Sequence, residues 1–197
     1  MESLKTIYLV RHGHFDMLDS KNSIEGKCLL PSGIQQAELT GELLASFGSK
    51  FNCIYSSDYS RARQTAEIIA SKLINVPHQI DSDLREINNR YYYRQGASSV
   101  LEPLTELERA DHPPSAVTAF DKYFVKQPPT SKSEVIVCHG NLITYFLSRL
   151  IQLSEFEWQS LYIHYCSITE IRIAATGESD IVSICDERHI PKELQEL

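Results

Sequence analysis

The chain opens on a run with no polar alternation. Thr6 to Val10 are β-branched, aromatic or aliphatic, which predicts a strand buried on both faces. A second run of the same kind, Glu134 to Cys138, lies far downstream. Between them the spacing changes. Ile34, Ala37, Leu39, Leu43, Leu44 and Phe47 mostly recur at three and four, predicting a helix opened by Pro31-Ser32-Gly33 and stopped by Gly48. Phe51 to Tyr55 predicts a short second strand, and Ser56-Ser57-Asp58 a cap for a helix running to about Leu73. Pro77 breaks it, and Gln79 to Leu84 is a weak third strand. Val117 to Val125 and Asn141 to Gln152 read as helices. Ser167 to Ile173 and Asp180 to Cys185 read as strands joined by a Thr176-Gly177 turn. This order predicts an α/β fold: a three-layer α/β/α sandwich on a mainly parallel central sheet with an antiparallel edge strand. No repeat or internal boundary interrupts it, so one domain over 1–197 is expected. Arg85 to Pro114, with Tyr91-Tyr92-Tyr93 and an acidic run from Glu102 to Asp111, is expected to hold loops and one or two short helices.

Composition narrows the function classes. The 197 residues suffice for one well-filled core. With 19 Lys and Arg against 26 Asp and Glu, the net charge is −7. That argues against nucleic acid or a polybasic membrane contact as partner. The longest apolar stretch, Leu142 to Ile151, is interrupted by Thr144, Ser148 and Arg149, far short of the ~20 residues a membrane span needs. The first strand begins within about six residues of Met1, so no signal peptide is expected. The cysteines, Cys28, Cys53, Cys138, Cys166 and Cys185, are odd in number and show no CxxC pair. A reducing, cytoplasmic setting follows, without disulfides or a zinc site.

The chemistry gathers at strand ends. Arg11-His12-Gly13 follows the first strand, Asp58-Tyr59-Ser60-Arg61 the second, Arg85-Glu86 the third, and His139-Gly140-Asn141 the fourth. In open α/β sheets that edge binds ligands. Two arginines and two histidines there make a positive cluster in an acidic protein, and arginine suits multi-point recognition of phosphate. Gly13 and Gly140 are expected to let backbone approach an anion. The helix starting near Asn141 is expected to aim its free N–H groups at the same place.

Arg-His-Gly after a buried strand, Ser-Ser-x-x-x-Arg-Ala-x-Gln-Thr-Ala and a late His-Gly together resemble the histidine phosphatase (phosphoglycerate-mutase-like) superfamily. Gln36 to Gly41, Lys50-Phe51-Asn52, Leu84-Arg85-Glu86, Cys138 to Asn141 with Tyr145-Phe146, and Ser167-Ile168-Thr169 resemble its protein Ser/Thr phosphatases. The resemblance implies a phosphatase without metal or cofactor. His12 would attack phosphorus and become a phosphohistidine. Arg11, Arg61 and a protonated His139 would hold the non-bridging oxygens, aided by Gly13 and Asn141. Glu86 would protonate the leaving oxygen and later take a proton from water. The implied partners are a phosphorylated protein, with a small phosphate ester as alternative, and a second copy in a homodimer. Association with mitochondria through a partner is the alternative to the cytoplasm.

Each residue also has a plainer reading. Asp81 and Asp83 stand near Glu86, and Ile87 occupies a position where the protein phosphatases carry glycine. Asn141 is a helix-start residue before it is a phosphate contact. Arg63 reads as solvated. Among rival functions, His12-x-His14-x-Asp16 is compact enough to ligate a transition ion, although Arg11 would repel it. Cys138 before a helix suggests a cysteine phosphatase, but Thr144 stands where that chemistry needs arginine. Sugar-phosphate mutases carry larger insertions than the middle segment allows. A phosphate-binding adaptor without turnover should have lost one of the four central residues.

Overall fold

The computed structural model describes residues 4–48, 50–87, 114–125, 131–151 and 161–195. In it the two apolar runs lie side by side. The elements are β1 (Leu4–Arg11), α1 (Pro31–Ser46), β2 (Cys53–Ser56), α2 (Ser60–Lys72), β3 (His78–Ile80), α3 (Pro114–Phe120), β4 (Lys132–Cys138), α4 (Gly140–Leu150), β5 (Ile168–Ala174) and β6 (Ser179–Asp186). The sheet order is β3-β2-β4-β1-β5-β6. β1, β4, β2 and β3 pair in parallel, and the terminal hairpin adds β5 antiparallel to β1 with β6 beyond it at the edge.

Period-two side-chain alternation sorts the buried strands between two helical layers. Tyr8, Val10, Ile54, Val135 and Val137 pack with Leu44 of α1 and Ala62, Ala66 and Ile69 of α2. Ile7, Leu9, Ile136 and Cys138 pack with Phe120 of α3 and Leu142, Ile143, Phe146 and Leu147 of α4. Burying each large aliphatic side chain contributes about 1.5–3 kcal/mol. The predicted three-layer α/β/α architecture is the one observed.

Several boundaries and faces differ from expectation. α1 buries Gly33, Gln36, Ala37, Thr40, Gly41 and Leu44 and leaves Ile34 and Phe47 exposed. Close approach chooses that face: a Cβ on Gly41 would lie 3.2 Å from Ile69 Cα of α2. α2 starts at Ser60, after the predicted cap. Ser57 is used by the sheet instead, its N–H donating to Val137 O at 3.1 Å. β3 is short, and the rest of the predicted third strand is a 3-10 turn, Ser82–Leu84, capped by Asp81. α3 begins at Pro114 and widens into a π turn, Asp121–Val125, where the Tyr123 carbonyl accepts from Lys5 Nζ at 2.8 Å. The tyrosine run Tyr91-Tyr92-Tyr93 and the acidic run lie outside the described residues.

The parallel register places the C-terminal ends of β1, β2 and β4 together. Beyond the last paired residues, the N–H of His12 donates to Cys138 O at 3.0 Å, and that of Asp81 to Ser56 O at 2.8 Å. The segments that leave this edge carry the charged residues.

Candidate active site

His12 and His139 step off neighbouring parallel strands, and their ring centroids lie 5.0 Å apart. Both are essentially buried. Arg61, in the first turn of α2, spans them. Its Nε donates to His12 Nε2 at 3.1 Å and its Nη2 to His139 Nδ1 at 3.2 Å, while Nη1 donates to Ile24 O at 2.7 Å. A guanidinium can only donate, so both ring nitrogens it meets carry lone pairs. His12 Nδ1 in turn lies 2.8 Å from Gly13 O, which can only accept. The His12 tautomer is thereby fixed: hydrogen on Nδ1, lone pair on Nε2. By the same logic the neutral His139 ring carries its hydrogen on Nε2, a buried atom without a hydrogen-bond partner.

Burial, then His139, Arg61 and Arg11, hold His12 well below the usual imidazole range. Burial followed by Arg61 and Arg11 does the same to His139. The expected protonated His139 is therefore corrected: here it is neutral and offers an N–H rather than a charge.

Glu86 takes the place foreseen for the phosphate at the start of α4. Its carboxylate accepts from the backbone N–H groups of Leu142 at 3.2 Å, Asn141 at 3.5 Å and Ile87 at 3.1 Å. Burial nevertheless pushes it up to about 7, against the opposing pull of Arg11, these N–H groups and Arg61. Asp83, the rival carboxylate, gives its N–H to Asp81, whose oxygens also receive Tyr123 Oη at 2.6 Å and Lys122 Nζ at 2.7 Å. Asp81 thus secures the turn that delivers Glu86.

Two further expectations are corrected. The Gly13 N–H donates to Thr65 Oγ1 at 3.0 Å and so is not free for an anion. Its missing side chain serves packing, since a Cβ there would lie 2.5 Å from Gly33 O. The Asn141 side chain donates to Ile87 O at 3.2 Å, and so pins the segment holding Glu86. A Cβ added at Gly140 would meet the Arg11 side chain only at ordinary van der Waals distance.

Arg11 leans over the Tyr165 ring, 3.9 Å from its centroid, and donates to Ile163 O. Arg11, His12, Arg61, Glu86, Gly140 and Asn141 line one cavity of about 500 Å³. His139 lies behind Arg61, outside its surface. The sequence reading missed the aromatic frame. Phe15 packs edge-on to His12 at 5.1 Å and lies 4.7 Å from the Arg61 guanidinium. Tyr59 flanks Arg61 at 5.0 Å, and Tyr165 follows a chain path sharp enough to put Cys166 at a φ of 54°. Thr65 was legible, standing one turn after Arg61, where its hydroxyl donates to Arg61 O at 2.8 Å. Gln36 was not: buried on α1, it accepts from His14 N at 2.8 Å and donates to Leu194 O at 2.6 Å.

The rival chemistries fit less well. His14 Nδ1 pairs with Ser32 Oγ at 2.9 Å and Asp16 accepts from Leu18 N at 2.9 Å, so these side chains do not converge with His12. Among the described residues no His, Cys, Asp and Glu group could hold a metal. Burial pushes the Cys138 thiol up, away from thiolate chemistry. Arg63 sits half-exposed, 4.0 Å from Glu67.

The doubly covered α/β sheet thus presents two histidines bridged by an arginine, beside a half-buried carboxyl. The chain belongs to the histidine phosphatase superfamily (branch 1), whose family model matches residues 7–186. It is 32% identical over 197 residues to the protein named serine/threonine-protein phosphatase Pgam5, mitochondrial, of Drosophila erecta. That match covers 95% of this chain and 65% of the fly protein, so the chain spans about two thirds of that relative's length. Among solved structures it is similar to phosphoglycerate mutase of Plasmodium falciparum, with a TM-score of 0.63, 26% identity and coverage of 92% and 91% of the two chains. It shares its fold with YhfR of Bacillus stearothermophilus, with a TM-score of 0.72, 22% identity and coverage of 95% and 100%.

Proposed function

We propose that this chain is a phosphatase that hydrolyses phosphate monoesters through a phosphohistidine on His12, with phosphoserine and phosphothreonine in proteins as its substrates. One observation carries the reading. The Gly13 carbonyl holds the hydrogen of a neutral His12 on Nδ1, so Nε2 carries a lone pair, which accepts from Arg61 Nε until a phosphate takes that donor. In the first step Arg61 turns its Nε–H from His12 Nε2 to a phosphate oxygen. Nε2 then forms a bond to phosphorus as the ester P–O bond breaks, and the leaving oxygen takes the Glu86 proton. Charge on the non-bridging oxygens is met by Arg11 and Arg61, while His139, behind Arg61, accepts its Nη2–H and holds the fork in place. In the second step water gives a proton to the Glu86 carboxylate and bonds to phosphorus as the P–Nε2 bond breaks, returning the electron pair to His12. Inorganic phosphate leaves, and His12 and Glu86 return to their starting states.

The preference for protein substrates rests on the fly relative's name. Small phosphate esters are the alternative, on the likeness to a mutase. The same relative's name supports association with mitochondria over a cytoplasmic location. No helix among the described residues is long and apolar enough to cross a membrane. The test is a phosphothreonine peptide with chelator present: turnover continues, and rapid acid-free quenching traps an acid-labile, base-stable phosphoenzyme. His12→Ala gives neither. A phosphoenzyme in His12→Ala, or turnover abolished by the chelator, overturns the mechanism.

A further inference from the structure

The mouth of the catalytic cavity is apolar in a way the phosphate chemistry does not use. Met17, Ile24 and Tyr162 line it, with 62%, 46% and 55% of their surfaces exposed. Leu18, at 92%, stands beside Met17. Large apolar side chains gathered around one opening mark a binding surface rather than ordinary scatter. Deeper in, Phe15, Ile87 and Ile163 continue the same wall and are buried.

The phosphate itself takes the cations of the cavity. Among the described residues that line the cavity, only Arg11 and Arg61 carry positive charge. Arg11 gives one N–H to Ile163 O, leans on the Tyr165 face and keeps its Nε without a partner, and Arg61 bonds the two histidines and Ile24 O; in the proposed mechanism the phosphate itself engages both. A substrate with a second anionic group near its ester, such as a three-carbon phosphate with a carboxylate, would set that group against apolar wall or the Glu86 carboxyl. Leaving a charge there unpaired is costly.

We infer that the Met17, Ile24 and Tyr162 collar binds the apolar side chain next to the phosphorylated residue of a polypeptide, and so selects apolar-flanked phosphopeptides over small polyanionic esters. The occupant is set by continuity. These side chains border the same cavity as His12 and Arg61, so whatever delivers a phosphate to His12 Nε2 carries its neighbouring atoms past them. This inference rests on the phosphatase reading and goes beyond it in naming what surrounds the phosphate.

The test compares phosphothreonine peptides that differ only in the residues flanking phosphothreonine, leucine in one and aspartate in the other, with p-nitrophenyl phosphate as the generic ester. The leucine peptide is expected to show about 10-fold higher kcat/KM, the scale of one apolar side chain in a pocket. In Met17→Asp, a change at an exposed position, the ratio falls toward one. Tyr162→Ser is the independent second variant and lowers the ratio in the same way. Turnover of p-nitrophenyl phosphate with equal kcat/KM for the two peptides overturns this inference alone, as does a ratio unchanged in both variants. Inertness toward the peptides and p-nitrophenyl phosphate alike overturns the phosphatase reading and this inference with it.

Discussion

Arg61 Nε donates to His12 Nε2 across 3.1 Å, so the proposed electrophile-holding group and the proposed nucleophile are hydrogen-bonded to each other before substrate arrives. Burial, then His139, Arg61 and Arg11, hold His12 neutral, and in this bond its Nε2 lone pair is turned to Arg61. The bond must be exchanged for a phosphate contact before that lone pair can attack. Arg61→Ala is expected to lower kcat for p-nitrophenyl phosphate by about 2–4 kcal/mol of transition-state stabilisation, as lost oxyanion donors do. Arg61→Lys should recover only part of this, because a point charge cannot reach both histidines and a phosphate as a fork does. Full recovery in the lysine variant would mean that charge alone matters at this position.

Glu86, pushed up to about 7, is protonated often enough near neutrality to act as an acid. Glu86→Gln should slow the first turnover of an alkyl phosphate by about 10²–10⁴-fold. An aryl phosphate, whose phenolate leaves without help, should lose far less. In the unaltered enzyme, alkyl-phosphate turnover should decline as pH rises through about 7. Equal losses for both leaving groups in a rapid-quench experiment would assign the acid elsewhere.

The same groups set stability against pH. Glu86 is raised from its ordinary 4.5 to about 7, so between these values the native state holds the proton and the unfolded chain does not. Its contribution is complete below pH 4.5 and is lost as pH rises through 7. His12 and His139 are depressed, so they oppose folding as pH falls below about 6.5, where the unfolded chain takes protons first. The stability of Glu86→Gln relative to the unaltered protein should therefore grow by about 2–3 kcal/mol from pH 5 to pH 8. Urea midpoints at the two pH values measure this, and parallel curves would place Glu86 in a more solvated setting.

Gly13→Ala should destabilise the fold by about 1–3 kcal/mol through overpacking, because the added methyl meets a backbone oxygen that no rotamer can move. Activity should fall with it, since Gly13 joins His12 to a loop held against α1. An unchanged urea midpoint would show that the α1 N-terminus can yield.

Much of this site was legible because parallel strands carry chemistry to one edge. Two apolar runs of matching character predicted that β1 and β4 would deliver Arg11, His12 and His139 together, and Arg61 followed from the next strand end. The rest depends on who hydrogen-bonds to whom. Asn141 looked free for an anion because helix starts expose N–H groups, yet Glu86 arrives from 55 residues away to take them. The neutrality of His139 follows from burial and then from the guanidinium of Arg61 beside it. The buried face of α1 was misjudged because Gln36 and Thr40 satisfy their polar atoms inside, a fact spacing does not carry. The aromatic frame went unread because a lone Phe15 or Tyr165 looks like any packing residue.

The helix that could have cradled the phosphate with its backbone spends its first N–H groups on Glu86 instead. In the proposed cycle the phosphate is thus held, among the described residues, by side chains that rotate, not by main chain that stays put. In that cycle the return of Arg61 Nε to His12 Nε2 removes one contact to the product and restores the bond seen here.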